Sequence, residues 1–559
     1  MKPFCVFLCF LWLPNMALAH SGTGERYMVA TGHSMATDAA LDIFREGGNA
    51  VDAAVTAALM LGVVDGENSG IGGGCLILIR TPDGKFTAID GREMAPAAAH
   101  KNMFVRDGKP LPNASQTGPL ASGAPGALAA YQTALQRCGS IKLARALAPG
   151  IAAAEEGFVI DDRYAASIKD SAKHLSEFAG SRAVFFRPDG SPLEAGDRLV
   201  QADLSETYRQ LAEHGIDWFY RGPLAEMIGE WMAKNGGIMT AADFAAYQAK
   251  LREPLTTTYH GYTIVGFPPP SSGGIHVAQI LNILEHFDLK SIGRNDPAAA
   301  AHITAEAFKL AFADRAHWLG DSDFVTVPRG LISKEYAKEL AARIDLKRAI
   351  DVESHGSPPN WRQDVFGRHT THIAAADADG NWVAITATVN TAFGSKVIVP
   401  GTGVILNNEM DDFSIYPGMP NAFGLVGAEN NSVAPGKRPL SSMSPTIVFD
   451  CHNNPVLTVG AAGGPKIITQ VVLAILRVLD FDQSLPNAIA NRRFHHQWRP
   501  NVVVYEIGLD VNIVEPLLER GHNIEVIQTT GRTQAIARDS AGKLIGVADP
   551  RGRGTAAGD

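Results

Sequence analysis

An α+β fold is predicted from three features of this sequence. Of 559 residues, 46% are hydrophobic and 19% charged, the composition of a folded globular chain large enough for one very large core or several ordinary ones. Residues 125–250, 276–288 and 298–318 read as amphipathic helices. Strand-type segments concentrate after Thr370, at 371–377, 382–389, 444–450, 455–460 and 533–548. No internal repeat at a fixed period argues for a solenoid instead.

The elements follow in order. Met1-Lys2, an apolar stretch from Phe4 to Leu13 and the small-x-small site Ala17-Leu18-Ala19 read as a secretory signal peptide over 1–19. An exported protein, periplasmic or extracellular, is therefore expected. The longest later apolar run, Val471 to Leu479, is broken by Arg477 and is too short for a stable membrane span. Ser34 and Asp38 offer N-cap chemistry for a helical stretch reaching Val64, which Gly47-Gly48 divides in two. Ser69 to Gly74 is glycine-rich, and a β-hairpin is expected at 75–80 and 85–90 around Pro82-Asp83-Gly84. Pro268 to Gly274 forms a stiff connector, and 345–369 reads as a polar exposed loop. Beyond it, Asp377 to Asn381 is a hairpin turn that brings Thr388 and Asn390 back beside Thr370. Pro465, after Gly463-Gly464, starts a helix that runs to Leu479.

Several function classes drop out. Lys+Arg 49 against Asp+Glu 58 gives a net charge of −9, which argues against nucleic-acid partners. Cys75, Cys138 and Cys451 remain after removal of the leader; they form neither a disulfide scaffold nor a zinc pair. Gly70 to Cys75 lacks the last glycine of GxGxxG. Gly460 to Ile467 has Pro465 and Ile467 where a phosphate-binding loop needs glycine and a hydroxyl. His495-His496 lacks a third metal ligand nearby and reads as packed histidines, so neither metal nor cofactor is expected.

Five segments occur in order: Arg92-Glu93-Met94-Ala95-Pro96, Pro268 to Gly274, Thr370-Thr371-His372, Asn407 to Phe413, and Arg438 to Pro445. With Gly47 to Ala54 and Arg493 to Trp498, they closely resemble the γ-glutamyltranspeptidase family across nearly the whole mature chain. The resemblance implies a four-layer αββα sandwich of the N-terminal-nucleophile hydrolase type. It also implies self-cleavage between His369 and Thr370, giving an associated large subunit 20–369 and small subunit 370–559.

The implied chemistry is internally consistent. A threonine hydroxyl needs a base to remove its proton, and an α-amine, titrating at about 7.7–8.0, supplies one on the same residue. Thr370 is thus the implied nucleophile, with Thr388 orienting it and the N–H groups of Gly463 and Gly464 forming the oxyanion hole. By the same likeness Arg92, Ser441 and Ser442 bind the substrate α-carboxylate, and Asn390, Glu409 and Asp412 accept from its α-ammonium. Phe423 stands where some bacterial relatives carry a lid tyrosine. The stretch Val64 to Asn68 and Cys75 also depart from the family pattern.

The reading is an exported γ-glutamyltransferase and hydrolase acting on glutathione and other γ-glutamyl donors, with water, amino acids or dipeptides as acceptors. Two rivals are a same-fold acylase for glutaryl or cephalosporin-type groups and an unprocessed, non-catalytic envelope protein.

Overall fold

The computed structural model describes residues 20–111, 113–359, 373–416 and 418–559. The leader 1–19, the pair His369-Thr370 and the first two residues of the strand expected at 371–377 lie outside the described residues.

Two seven-stranded sheets form the centre. Their strands from the first half are β1 (His20–Gly24), β2 (Tyr27–Ala30), β3 (Gly74–Arg80), β4 (Phe86–Gly91), β5 (Lys250–Arg252), β6 (Leu255–Tyr259) and β7 (Tyr262–Gly266). Those from the second half are β8 (Ala374–Asp377), β9 (Trp382–Thr388), β10 (Thr446–Phe449), β11 (Pro455–Ala462), β12 (Arg532–Arg538), β13 (Leu544–Ala548) and β14 (Ala556–Gly558). One sheet runs β1-β13-β12-β11-β10-β7-β6, the other β14-β2-β8-β9-β3-β4-β5. Every pairing within them is antiparallel.

The side chains of β3 show how the layers stack. Cys75, Ile77 and Ile79 pack with α1 (Ser34–Arg45), α2 (Ala50–Val64), α3 (Ala127–Cys138) and α4 (Leu143–Glu156). Leu76 and Leu78, on the opposite face, join the core of the other sheet and of α5 (Gly273–Leu284), α6 (Pro297–Trp318) and α7 (Lys466–Leu479). The result is the expected αββα sandwich. With both faces covered, β3 reads as a continuous apolar run rather than an alternating one.

The expected separation of helices from strands is not kept. β1 pairs with β13 (His20↔Ala548) and β2 with β14 (Met28↔Gly558), so both sheets interleave the beginning of the chain with its end. The described residues before and after the stretch 360–372 therefore share both sheets. The first helix is capped by His33, whose ring accepts from the Met35 N–H, and Ser34 is already helical. Gly47 to Ala54 has a structural use. Asn49 accepts from the N–H groups of Val51 and Asp52, while the Asp52 carboxylate accepts from the Asn49 N–H, a capping box that starts α2.

Candidate active site

Strand ends build the site. β9 finishes at Thr388, β11 at Ala462 ahead of Gly463-Gly464, and β4 at Gly91 ahead of Arg92. With the short helical turn Glu409–Asp412 and the segment Ser441-Ser442-Met443, they enclose a cavity of about 310 Å³. Arg92, Thr388, Asn390, Glu409, Asp412, Phe423, Ser441, Ser442, Gly463 and Gly464 all line it. Every described residue assigned to the site from the sequence is therefore gathered around one cavity. His369 and Thr370 are the assigned residues outside the described chain.

The glycines are required by close approach and by backbone direction. A Cβ on Gly73 would overlap the Thr388 carbonyl oxygen, so this glycine lets the end of β9 sit against the turn before β3. Gly463 (φ 141°) and Gly464 (φ 59°) lie in the left-handed half of backbone space and turn β11 into α7. Neither N–H has a protein acceptor among the described residues, leaving two donors at the cavity wall.

Arg92 is fully buried and already engaged. Its Nη1 donates to Glu409 Oε1, and its Nη2 to Asp412 Oδ2 at 2.5 Å. Nε donates to the Pro439 carbonyl at 3.1 Å, and Nη2 also reaches the Leu440 carbonyl at 3.4 Å. The fork expected to face a substrate carboxylate is thus closed on the pocket's own acids. Burial alone would lower the Arg92 pKa; the carboxylates of Glu409 and Asp412 outweigh it and raise it. Burial raises the pKa of both Glu409 and Asp412 despite Arg92. Glu93, buried beside Arg92 Nη1 at 3.7 Å, is pushed up to about 7 by burial. Glu409 Oε2 is fully buried and finds no donor among the described residues, with the Glu93 carboxyl hydrogen-bonded to Glu409.

The remaining polar groups keep their cavity-side functions free. Thr388 Oγ1 accepts from the Asn390 N–H at 2.7 Å, so its own proton is available. Asn390 Nδ2 donates to the Asn408 carbonyl at 3.0 Å, leaving Oδ1 as an acceptor. Ser441 Oγ accepts from the Met443 N–H, and Ser442 Oγ accepts from Arg315 Nη2 at 2.9 Å. Phe423 covers the glycine turn so closely that a Cβ on Gly464 would lie 2.6 Å from its ring. Its loop is tied down by Gln497 Nε2, donating to the Phe423 and Gly424 carbonyls, and by Asn421 Nδ2, donating to Asp412 Oδ1.

Compared with protein-family models, residues 36–559 match the family described as gamma-glutamyltranspeptidase. The chain belongs to the γ-glutamyltranspeptidase family. A protein named glutathione hydrolase proenzyme from Escherichia coli (strain K12) is 43% identical over 535 residues, covering 95% of this chain and 91% of its own. A protein named acylase ACY 1 proenzyme from Pseudomonas sp. (strain SE83) is 37% identical, covering 95% of this chain and 93% of its own. Among solved structures, cephalosporin acylase from Bacillus halodurans superposes with a TM-score of 0.87 at 29% identity, covering 99% of both chains.

Around this γ-glutamyltranspeptidase-family pocket stand residues to which the sequence assigned no site role. Asn68 lines the cavity, and its carbonyl accepts from the Val389 N–H at 3.2 Å. The atypical stretch Val64 to Asn68 thereby anchors the end of β9, with Asp65 and Glu67 both paired to Arg553. Cys75, the other departure, is buried and donates to the Ala127 carbonyl at 3.6 Å; Cys138 and Cys451 are also free thiols. His495 and His496 are buried and hydrogen-bonded, the first to Thr469 and Gln497, the second to Asn501 and the Trp498 N–H. His302 and Glu306, four positions apart on α6, form a buried cluster with the distant His522. It is satisfied internally: the rings bond each other, and the Lys309 ammonium sits on Glu306.

Proposed function

We propose that this chain is an exported γ-glutamyltransferase and hydrolase that cuts itself between His369 and Thr370 and then uses Thr370 as its nucleophile. The observation that carries the reading is the gathering of all the described family-matched side chains around one cavity. Chain reach supports the nucleophile. The Ile373 carbonyl accepts from the Ile385 N–H on β9. Three residues span at most about 11 Å, so Thr370 is tethered to the strand that ends at Thr388.

In the proposed reaction the freed α-amine of Thr370 takes the proton of its own hydroxyl, whose oxygen attacks the γ-carbonyl carbon. The oxyanion is met by the N–H groups of Gly463 and Gly464, and Thr388 donates its free hydroxyl to the nucleophile. The amine leaves with the proton, and water or an amino acid or dipeptide amine resolves the γ-glutamyl ester. The substrate ammonium falls to Glu409, Asp412 and Asn390 Oδ1; the carboxylate falls to the Ser441 and Ser442 hydroxyls beside Arg92. Glutathione and related γ-glutamyl amides are the donors. An acyl group without an α-ammonium would bring no cation to the acidic lining formed by Glu409 and Asp412.

The test is kinetic. Processed protein should show two chains, the smaller beginning at Thr370, and should turn over γ-glutamyl-anilide far better than glutaryl-anilide. A preference for the glutaryl compound would transfer the protein to the acylases, and a single intact chain would overturn the mechanism.

The raised carboxyl pKa values give this preference a pH dependence. A group whose pKa is raised takes up its proton at a pH where an ordinary carboxyl is still ionised, and a neutral carboxyl attracts an ammonium weakly. The kcat/KM for γ-glutamyl-anilide should therefore fall relative to that for glutaryl-anilide as the pH is lowered, beginning above the range in which an ordinary carboxyl titrates. Taking the ratio cancels the titration of the Thr370 amine, common to both donors. A pH-independent ratio would remove the buried acids from ammonium recognition.

Phe423→Tyr tests the lid. The ring over Gly464 stays, and the added hydroxyl gives the lid a latch across the pocket. The ratio of transfer product to free glutamate at fixed donor and acceptor should shift, with the first half-reaction little changed. A constant ratio in a fully processed variant would reduce Phe423 to packing.

A further inference from the structure

Behind the Ser441-Ser442 wall lies a cation that the mechanism so far leaves unused. Arg315, in the last turn of α6, is almost fully buried. Its Nε donates to Ser272 Oγ at 2.9 Å and its Nη2 to Ser442 Oγ at 2.9 Å. No carboxylate lies within ion-pair distance of it among the described residues. The nearest acid influence is Asp412, already bonded to Arg92. A buried guanidinium without a counter-ion is costly, and burial lowers its pKa to about 10, which leaves it charged at neutral pH.

Its two bonds have a directional consequence. A serine hydroxyl that accepts from a guanidinium must point its own proton elsewhere. Ser272 Oγ sends its proton to the Ser441 carbonyl at 2.7 Å. Ser442 Oγ has no such acceptor among the described residues, and Ser442 lines the cavity. The Pro268 to Gly274 connector is clamped to the same segment, with Ser271 Oγ donating to the Met443 carbonyl at 2.8 Å and the Ser272 N–H to the Ser441 carbonyl at 2.9 Å. The connector and α6 thus hold Ser442 from behind. Meanwhile the Arg92 fork is occupied by Glu409 and Asp412.

We propose that Arg315 is a positioning residue for substrate selection: it fixes the Ser442 hydroxyl as a donor to the substrate's α-carboxylate and supplies the buried positive charge behind that bond. The inference rests on the γ-glutamyl reading of the pocket. A ligand carboxylate at Ser442 provides a counter-charge where no described protein carboxylate pairs with Arg315, and polarisation by the guanidinium strengthens the hydroxyl as a donor.

The experiment compares two donors on processed enzyme: γ-glutamyl-anilide and 4-aminobutanoyl-anilide, which keeps the ammonium but lacks the α-carboxylate. Arg315→Met should lower kcat/KM for the first by about 10- to 100-fold, mainly through KM. The second should change less than about threefold. In a Ser442→Ala background the same substitution should add little, because the two act through one bond. Equal losses on both donors, or full multiplicative losses with Ser442→Ala, would overturn the proposal and leave Arg315 a structural residue. Should Arg315→Met fail to process, Arg315→Lys and Ser272→Ala carry the same comparison. An ammonium cannot span both serines, and without Ser272 one of the two anchors is lost, so each should give a smaller loss confined to the γ-glutamyl donor; a loss shared by both donors overturns the proposal here too. Wild-type enzyme that is processed yet inactive on γ-glutamyl-anilide would instead refute the functional reading itself.

Discussion

Thr370→Ala should yield a single uncut chain with no measurable turnover. Both outcomes come from one atom. Cleavage requires the hydroxyl to attack the His369 carbonyl, and turnover requires the same hydroxyl, now beside a free α-amine, to attack the γ-carbonyl. The surrounding scaffold does not depend on that hydroxyl. β8 pairs with β9 through Ala374↔Ala384, and β2 with β8 through Ala30↔Ala374, all downstream of the substituted position or remote from it. The variant should therefore fold, and its melting temperature should stay close to that of the processed enzyme. A denaturing gel reads the first outcome and anilide release the second. Thr370→Ser, which keeps a hydroxyl and loses a methyl, should still process. Two chains in the alanine variant would move the cleavage chemistry to another group.

Much of this site was legible because its parts are short, ordered motifs whose residues face one cavity once the sandwich closes. Thr388 and Gly463-Gly464 could be placed from local pattern alone: a hairpin turn at Asp377 to Asn381 and a strand–glycine–helix junction are determined within about ten residues. What could not be read was long-range. Nothing in His20 to Ala30 announces that β1 and β2 pair with the last strands of the chain, since strand pairing partners leave no local mark. Helices in the first half and strands in the second suggested a division that the sheets do not respect. Arg315 escaped notice for a similar reason. It lies 127 positions from Ser442 on a helix whose alanine-rich pattern reads as packing. The engagement of Arg92 by Glu409 and Asp412 was likewise invisible, because motif likeness assigned all three to a ligand and said nothing of bonds among themselves.

Arg92→Lys should lower kcat/KM for γ-glutamyl-anilide by about 10- to 150-fold, or about 1.5–3 kcal/mol, while cleavage proceeds normally. The charge is not what is lost. A lysine ammonium still offsets part of the negative charge of Glu409 and Asp412, so the pocket should stay folded and the gel should still show two chains. What disappears is geometry: one guanidinium serves Glu409 Oε1, Asp412 Oδ2 and the carbonyls of Pro439 and Leu440 at once, and a point donor on a flexible stem cannot span them. Freed from the fork, the two acids lose the orientation that holds them at the cavity, and the segment carrying Ser441 and Ser442 loses its tie through Pro439 and Leu440. Both ends of the γ-glutamyl group are therefore affected. Glutaryl-anilide, which has only the carboxylate end, should suffer a smaller proportional loss. Arg92→Met goes further, because it strands buried acids without a counter-charge, which costs about 3–5 kcal/mol of stability. If Arg92→Lys leaves the γ-glutamyl specificity constant unchanged, the guanidinium is not organising the pocket and recognition of the zwitterion must be sought among the serines and Asn390 alone.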